Sequence, residues 1–176
     1  MPLPEFLTDP VPLAVLTLVI FGVIQYQRTL SWTEYREIHR LKRRLFPTLD
    51  RVWPHFVHAK GGHDDPEFIA TVEDSVQVVF SDFVDAGASP HVINSIKQRQ
   101  HPETGKRQYT AAHVRWAHDD GSQTEAYLFR LDKRHVDVYA HHEPGVVTPV
   151  DHLSGPQTDG DPRGVVHNAL FIDPNP

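Results

Sequence analysis

Between Pro10 and Gln27 the chain reads PVPLAVLTLVIFGVIQYQ, eighteen residues without one charged side chain. An apolar run of that length needs lipid or another protein surface around it, and this limits what the rest of the chain can be. A bilayer core of about 30 Å takes roughly 20 mostly apolar helical residues at about 1.5 Å each. Leu13, Leu16, Leu18, Ile20, Phe21 and Ile24 supply the apolar body, and Tyr26 and Trp32 suit the headgroup level as aromatic anchors. Pro10 and Pro12 fall in the first turn, where a missing N–H is harmless. A cleaved signal peptide would carry basic residues before the run and small residues after it. Here Glu5 and Asp9 precede the run and Arg28 follows it directly. The expectation is a single transmembrane helix; a docking helix of a soluble interaction module is the alternative.

Charge sets the orientation. No Lys or Arg precedes the run, whereas Arg28, Arg36, Arg40, Lys42, Arg43, Arg44 and Arg51 follow it, against Glu34, Glu37 and Asp50. Basic residues beside a span stay on the cytoplasmic side, which places the amino terminus outside and the C-terminal domain inside. Inside means the cytoplasm, or the interior of a membrane-containing virus particle. Formal charge is −2 over residues 1–27, +4 over 28–51 and −8 over 52–176. Nucleic acid is an unsuitable partner for so acidic a distal domain, since phosphate contacts want clustered Lys and Arg. A regulator contacting nucleic acid through Arg36–Arg44 remains a minor reading. The chain has no cysteine, which removes disulfides, thiolate catalysis and Cys-based zinc sites. Arg outnumbers Lys and Asp outnumbers Glu, a balance resembling salt-adapted, halophilic composition.

Four segments follow from pattern: 1–27 as membrane anchor, 28–63 as basic helix and connector, 64–143 as the domain, and 144–176 as a Pro/Gly/Asp-rich tail, partly docked. Over Leu30–Phe46, Trp32, Tyr35, Ile38, Leu41 and Leu45 recur every three or four residues, an apolar stripe with Arg and Lys opposite. Ser31 and Glu34 have capping-box spacing at its start, and Phe46-Pro47 marks its end. Arg36, Arg40, Lys42, Arg43 and Arg44 are the expected contacts to anionic lipid or to a partner. A helix from Pro66, capped by Asp64 or Asp65, is expected to run to Ala86-Gly87. From His91 the period turns toward two, predicting strands over His91–Gln100, Arg107–His118, Thr124–Leu131 and His135–His142. Gly164–Ile172 is expected to dock as a short helix or strand.

Thirteen histidines raise the question of metal. His55, His58 and His63, ahead of Asp64-Asp65, are the nearest approach to a ligand group, with His141-His142-Glu143 second. Neither has His-Glu-x-x-His spacing, so no metal site is assigned. His118-Asp119-Asp120 sits beside Gly121 in a hairpin turn, and Ser122 lacks the Gly-x-Ser-x-Gly context of a hydrolase nucleophile. Tyr127, Phe129 and Tyr139 are read as core or interface packing rather than a base-stacking platform. The sequence therefore predicts an α+β protein: an N-terminal single transmembrane helix, a basic amphipathic helix, then a small domain with one helix and a three- or four-stranded antiparallel sheet. The expected role is that of a single-pass, membrane-anchored structural or assembly protein linking a membrane to a protein complex, in a virion or a cell envelope. Its expected partners are the lipid bilayer and other protein subunits, with no catalytic residue, no cofactor and no small-molecule substrate identified. The enzymatic alternative is a membrane-tethered, metal-dependent hydrolase using His55, His58 and His63.

Overall fold

A computed structural model of the protein describes residues 10–52, 66–92, 97–143 and 161–170. Two helices come first, α1 (Pro10–Arg28) and α2 (Trp32–Val52). The domain then adds β1 (Glu67–Val72), α3 (Val76–Asp85), β2 (Ser89–Pro90), β3 (Gln98–Gln100), β4 (Arg107–Tyr109), β5 (Ala112–Ala117), β6 (Gln123–Arg130), β7 (Val136–Glu143) and α4 (Pro162–Leu170). The fold is α+β, as expected. Five strands form one antiparallel sheet in the order β1-β7-β6-β5-β2, and β3 and β4 pair as a separate ribbon.

Register explains why the sheet has two unlike faces. Val114 pairs with Ala126 and Ala126 with Ala140; one step along, Ala112 pairs with Leu128 and Leu128 with Val138. Alternation puts these on one face, where Val76, Val79, Phe80 and Phe83 of α3 and Val166 and Ala169 of α4 cover them. Phe83 meets Trp116 edge-on with ring centroids 5.0 Å apart. The intervening residues, His113, Glu125, Tyr127, Phe129, Asp137, Tyr139 and His141, share the other face. The ribbon is fastened to that face by Arg99, whose guanidinium donates to Asp137 at 2.6 Å and to the Tyr139 hydroxyl at 3.0 Å. The same group lies 4.6 Å from the Phe129 ring centre.

Helix α3 shows how local sequence sets its ends. Ser75 caps the start, its hydroxyl accepting from the Val78 N–H. At the other end Ala88 N–H donates to Phe83 carbonyl and Gly87 N–H to Val84 carbonyl, with Gly87 at φ +89°. This paired closure requires a left-handed residue after the last turn, and glycine takes that conformation without strain.

Several expectations are corrected. The helix expected from Pro66 is a strand followed by a shorter helix: Phe68 and Val72 belong to β1, paired with Tyr139 and Val136. The Asp74-Ser75 pair interrupts the apolar period there and turns the chain. Residues Arg107–His118 break into β4 and β5 at Thr110-Ala111, and among the described residues of His91–Gln100 only Gln98–Gln100 is strand. The sheet has five strands rather than three or four, whereas α4 is the docked element expected over Gly164–Ile172. Helix α2 continues through Pro47 to Val52, because a proline removes one main-chain bond and need not end a helix. Its apolar stripe is only half used: Tyr35 is buried and Trp32 and Ile38 pack on the core, whereas Leu41 and Leu45 are exposed. The capping box is as expected, Ser31 N–H donating to Glu34 Oε2 at 2.9 Å.

Helix α1 carries the largest exposed apolar surface. Val11, Val15, Leu16, Leu18, Val19, Phe21, Val23 and Tyr26 are all open, Leu18 at 69%. Only its C-terminal end docks, burying Gln27 and then Leu30. Among the described residues no helix is long and apolar enough to cross a membrane; the side chains of Leu13, Ile20 and Ile24 fall outside them. The expected transmembrane helix is thus not supported by the structure.

Candidate functional site

The polar face of the sheet gathers a histidine–glutamate group from three elements. Glu125 of β6 stands opposite His141 of β7, and His113 of β5 is its diagonal neighbour. His91, one residue beyond β2, is held there by its N–H donating to the His113 carbonyl at 3.0 Å. His91 Nδ1 lies 3.4 Å from Glu125 Oε1; His113 Nε2 and His141 Nε2 lie 3.2 and 3.6 Å from Oε2. Tyr127 donates its hydroxyl to Oε2 at 2.6 Å and stacks on His113 with centroids 4.3 Å apart. Ligand atoms of His91, His113 and Glu125 all fall within 4.8 Å of one another, the one such group among the described residues.

Burial governs the protonation of this group. His113 is 3% exposed, and burial pushes its pKa down to about 4, against the pull of Glu125. The ring is therefore neutral at pH 7, with a lone pair to offer. Burial alone would raise Glu125, yet the facing His113, His141 and His91 hold its carboxyl well below the usual range. An ionised carboxylate among imidazoles is the donor set of a divalent transition-metal site.

Helix α2 closes the same region from the sheet edge. Strand β2 covers only the Val114–Arg115 part of β5, and beyond it the His113 N–H donates to the Tyr35 hydroxyl at 2.8 Å. Tyr35 stacks with His39, which burial lowers to about 3, helped by Lys42, Arg43 and His113. Lys42 turns inward, donating to the Val92 carbonyl at 2.8 Å, and burial lowers it to about 8.

The outer side of α2 lines a cleft of about 600 Å³ with the ribbon and the end of β6. Arg36, Arg40, Arg43, Arg44, Arg107 and Arg130 all reach it. Arg43 lies 5.2 Å over the Tyr109 ring, and Arg40 pairs with Glu37 at 3.0 Å. Of the five cations singled out in the sequence, four thus converge and Lys42 goes to the interior. Arg107 and Arg130, distant in sequence, were not anticipated.

The other candidates separate. His55, His58 and His63 lie outside the described residues, whereas His141 of the second-ranked group belongs to the cluster. Leu16, Leu18, Phe21 and Tyr26 of the expected anchor are exposed on α1, and Trp32 is half-buried against Phe80, ring centroids 5.1 Å apart. His118 and His142 flank Thr124, at 2.8 and 3.1 Å from its hydroxyl. Asp120 accepts from the Ser122 N–H and hydroxyl in the turn, with Gly121 at φ +86°. Turn formation thus accounts for the Asp120–Ser122 pair. Comparison with protein-family models, curated proteins and solved structures gives no match.

Proposed function

We propose that the protein is a membrane-anchored structural or assembly protein, held at a bilayer through α1 and presenting its α+β domain to other subunits on the inner side. The carrying observation is the set of open apolar side chains on α1, Val11, Val15, Leu16, Leu18, Val19, Phe21, Val23 and Tyr26. A helix lying flat at an interface needs a charged face, and none of the residues from Pro10 to Gln27 is charged. Insertion into hydrocarbon fits that pattern better. At nineteen residues the helix is about 28 Å long. This is slightly short for a core of about 30 Å, a mismatch met by local thinning and by Arg28 reaching to the headgroups. The first arginine of the α2 cleft, Arg36, is eight residues beyond Arg28, where anionic lipid would meet it.

The test is carbonate washing of membranes carrying the full chain, beside a variant with Leu16→Lys, Leu18→Lys and Phe21→Lys. These side chains are exposed, so the substitutions leave the domain's packing alone. The full chain should stay with the membrane, the variant should wash off, and protease added from outside should spare the domain. Release of the unaltered chain by carbonate would refute the anchor, and digestion of the domain from outside would refute the orientation.

A further inference from the structure

We propose that His91, His113 and Glu125 bind one divalent transition-metal ion of the zinc class beside His141, and that the ion ties the β2 end to the sheet. Ligand atoms about 2.1 Å from a tetrahedral ion are separated from one another by roughly 3.4 Å. The three imidazole nitrogens stand 3.4, 3.2 and 3.6 Å from the Glu125 oxygens. Those values bracket the edge of such a tetrahedron and are long for charge-assisted hydrogen bonds, which run about 2.7–2.9 Å.

Hydrogen bonding gives an independent reason. Buried polar atoms are nearly always paired, yet His91 Nδ1 and both ring nitrogens of His113 have no hydrogen-bond partner. They face the carboxylate at angles that make no bond. An imidazole whose nitrogens are buried and unbonded is costly as a packing residue, whereas as a ligand its lone pair is satisfied by the ion. The ion also compensates the charge of a carboxylate that is 3% exposed, which hydrocarbon and neutral rings do not.

The supporting groups match what metal ligands need. Tyr127 donates to Glu125 Oε2 at 2.6 Å and fixes the carboxylate. Its ring, nearly parallel to His113 at 11°, fixes the imidazole. An imidazole and carboxylate donor set without thiolate suits zinc. The predicted consequence is mechanical: the ion links β5 and β6 to the segment after β2, whose own strand pairing is only two residues long.

The experiment is metal analysis and titration of the detergent-purified full chain, stripped with chelator and reloaded with Zn²⁺ alone, then with Co²⁺ as a spectroscopic probe. One zinc per chain is expected, with a visible Co²⁺ spectrum of tetrahedral type and a higher melting temperature in the loaded protein. Glu125→Gln and His113→Gln should lose stoichiometric zinc, and Tyr127→Phe should weaken it roughly 10–100-fold, the usual effect of losing a group that orients a ligand. A His55→Ala, His58→Ala, His63→Ala variant should bind as the parent does. Retention of zinc by Glu125→Gln, its loss from the triple variant, or no stoichiometric zinc in the parent would each overturn the site. Where Glu125→Gln fails to fold, the Tyr127→Phe affinity and the parent's Co²⁺ spectrum decide. Membrane anchorage is not involved in any of these readings, so failure of one proposal leaves the other standing.

Discussion

Replacing Tyr35 with Phe isolates one hydrogen bond. The ring is fully buried, with centroids 6.2 Å from Trp32, 4.9 Å from Phe80 and 5.6 Å from His39. Phe preserves all three contacts, so the hydrophobic contribution is nearly unchanged. What disappears is the acceptor for the His113 N–H, 2.8 Å away on the edge of β5. Strand β2 stops short of that position, and His113 is itself buried, so water does not replace the hydroxyl. A buried donor left without a partner costs about 1–3 kcal/mol. For a chain of this size that lowers the melting temperature by about 2–4 °C for each kcal/mol. Urea unfolding followed by near-UV circular dichroism should show a lower midpoint with an unchanged slope, since the surface exposed on unfolding is the same. Hydrogen exchange at the His113 amide should quicken beyond what the global loss explains. A loss under about 0.5 kcal/mol, the range of ordinary surface changes, with His113 exchange unaltered, would refute the argument that α2 seals this edge.

Other expectations follow from single groups. Ser31→Ala should cost about 0.5–2 kcal/mol in thermal melts, because the hydroxyl accepts from the Glu34 N–H at 3.4 Å and closes the capping box of α2. Phe83→Ala should cost about 3–5 kcal/mol, measured by urea midpoint, since the side chain is fully buried between α3 and Trp116. His39 supplies a pH dependence. Its folded pKa of about 3 lies below the ordinary 6.5, so the unfolded chain takes up the proton first and stability is lost as pH falls from 6.5 toward 3. The slope is up to about 1.4 kcal/mol per pH unit, and His39→Asn should flatten it in urea midpoints taken between pH 7 and 4; an unchanged slope would rule this out.

The strands β6 and β7 were legible in the sequence because alternation and their turns coincide. Asp119–Gln123 and Asp132–Arg134 carry turn chemistry at hairpin spacing, and Val136, Val138 and Ala140 mark one face. Strand β1 was not, because Phe68, Ile69, Val72, Val76, Val79 and Phe83 satisfy a helical period across a real break at Glu73–Ser75. A two-residue strand such as β2 has no pattern to read. The histidine cluster was hidden for a different reason. Its members are separated by 22, 12 and 16 positions in the chain and meet only through register, so no ligand spacing exists to be recognised. One trace was present: His113 lies between Ala112 and Val114, and Glu125 directly precedes the run Ala126–Phe129. The arginine cleft was half visible, since helical spacing brings Arg36, Arg40 and Arg43 together, whereas Arg107 and Arg130 join through the ribbon.

An antiparallel sheet commonly packs one face and leaves the other wet, and the polar face here is instead covered by the ribbon. Two carboxylates are buried on this face, and they are treated differently. Asp137 accepts from Arg99 at 2.6 Å on one oxygen and from Thr71 at 2.6 Å on the other, while Arg99 also lies over Phe129. Both Asp137 oxygens are met by protein groups, and the pair holds the ribbon down. Glu125 is met by Tyr127 on Oε2, and beside it stand His91 Nδ1 and His113 Nε2 at 3.4 and 3.2 Å, at angles that make no hydrogen bond. Both carboxylates lie on one face of adjoining strands and both are buried, so the difference is not explained by burial. It is explained by the chemistry of the surrounding donors. A fixed guanidinium completes a structural pair, and imidazoles around a carboxylate make a donor set suited to a divalent cation. The Tyr35 hydroxyl then gives α2 a direct bond to the His113 strand position, so that the helix lining the arginine cleft is tied to the histidine centre.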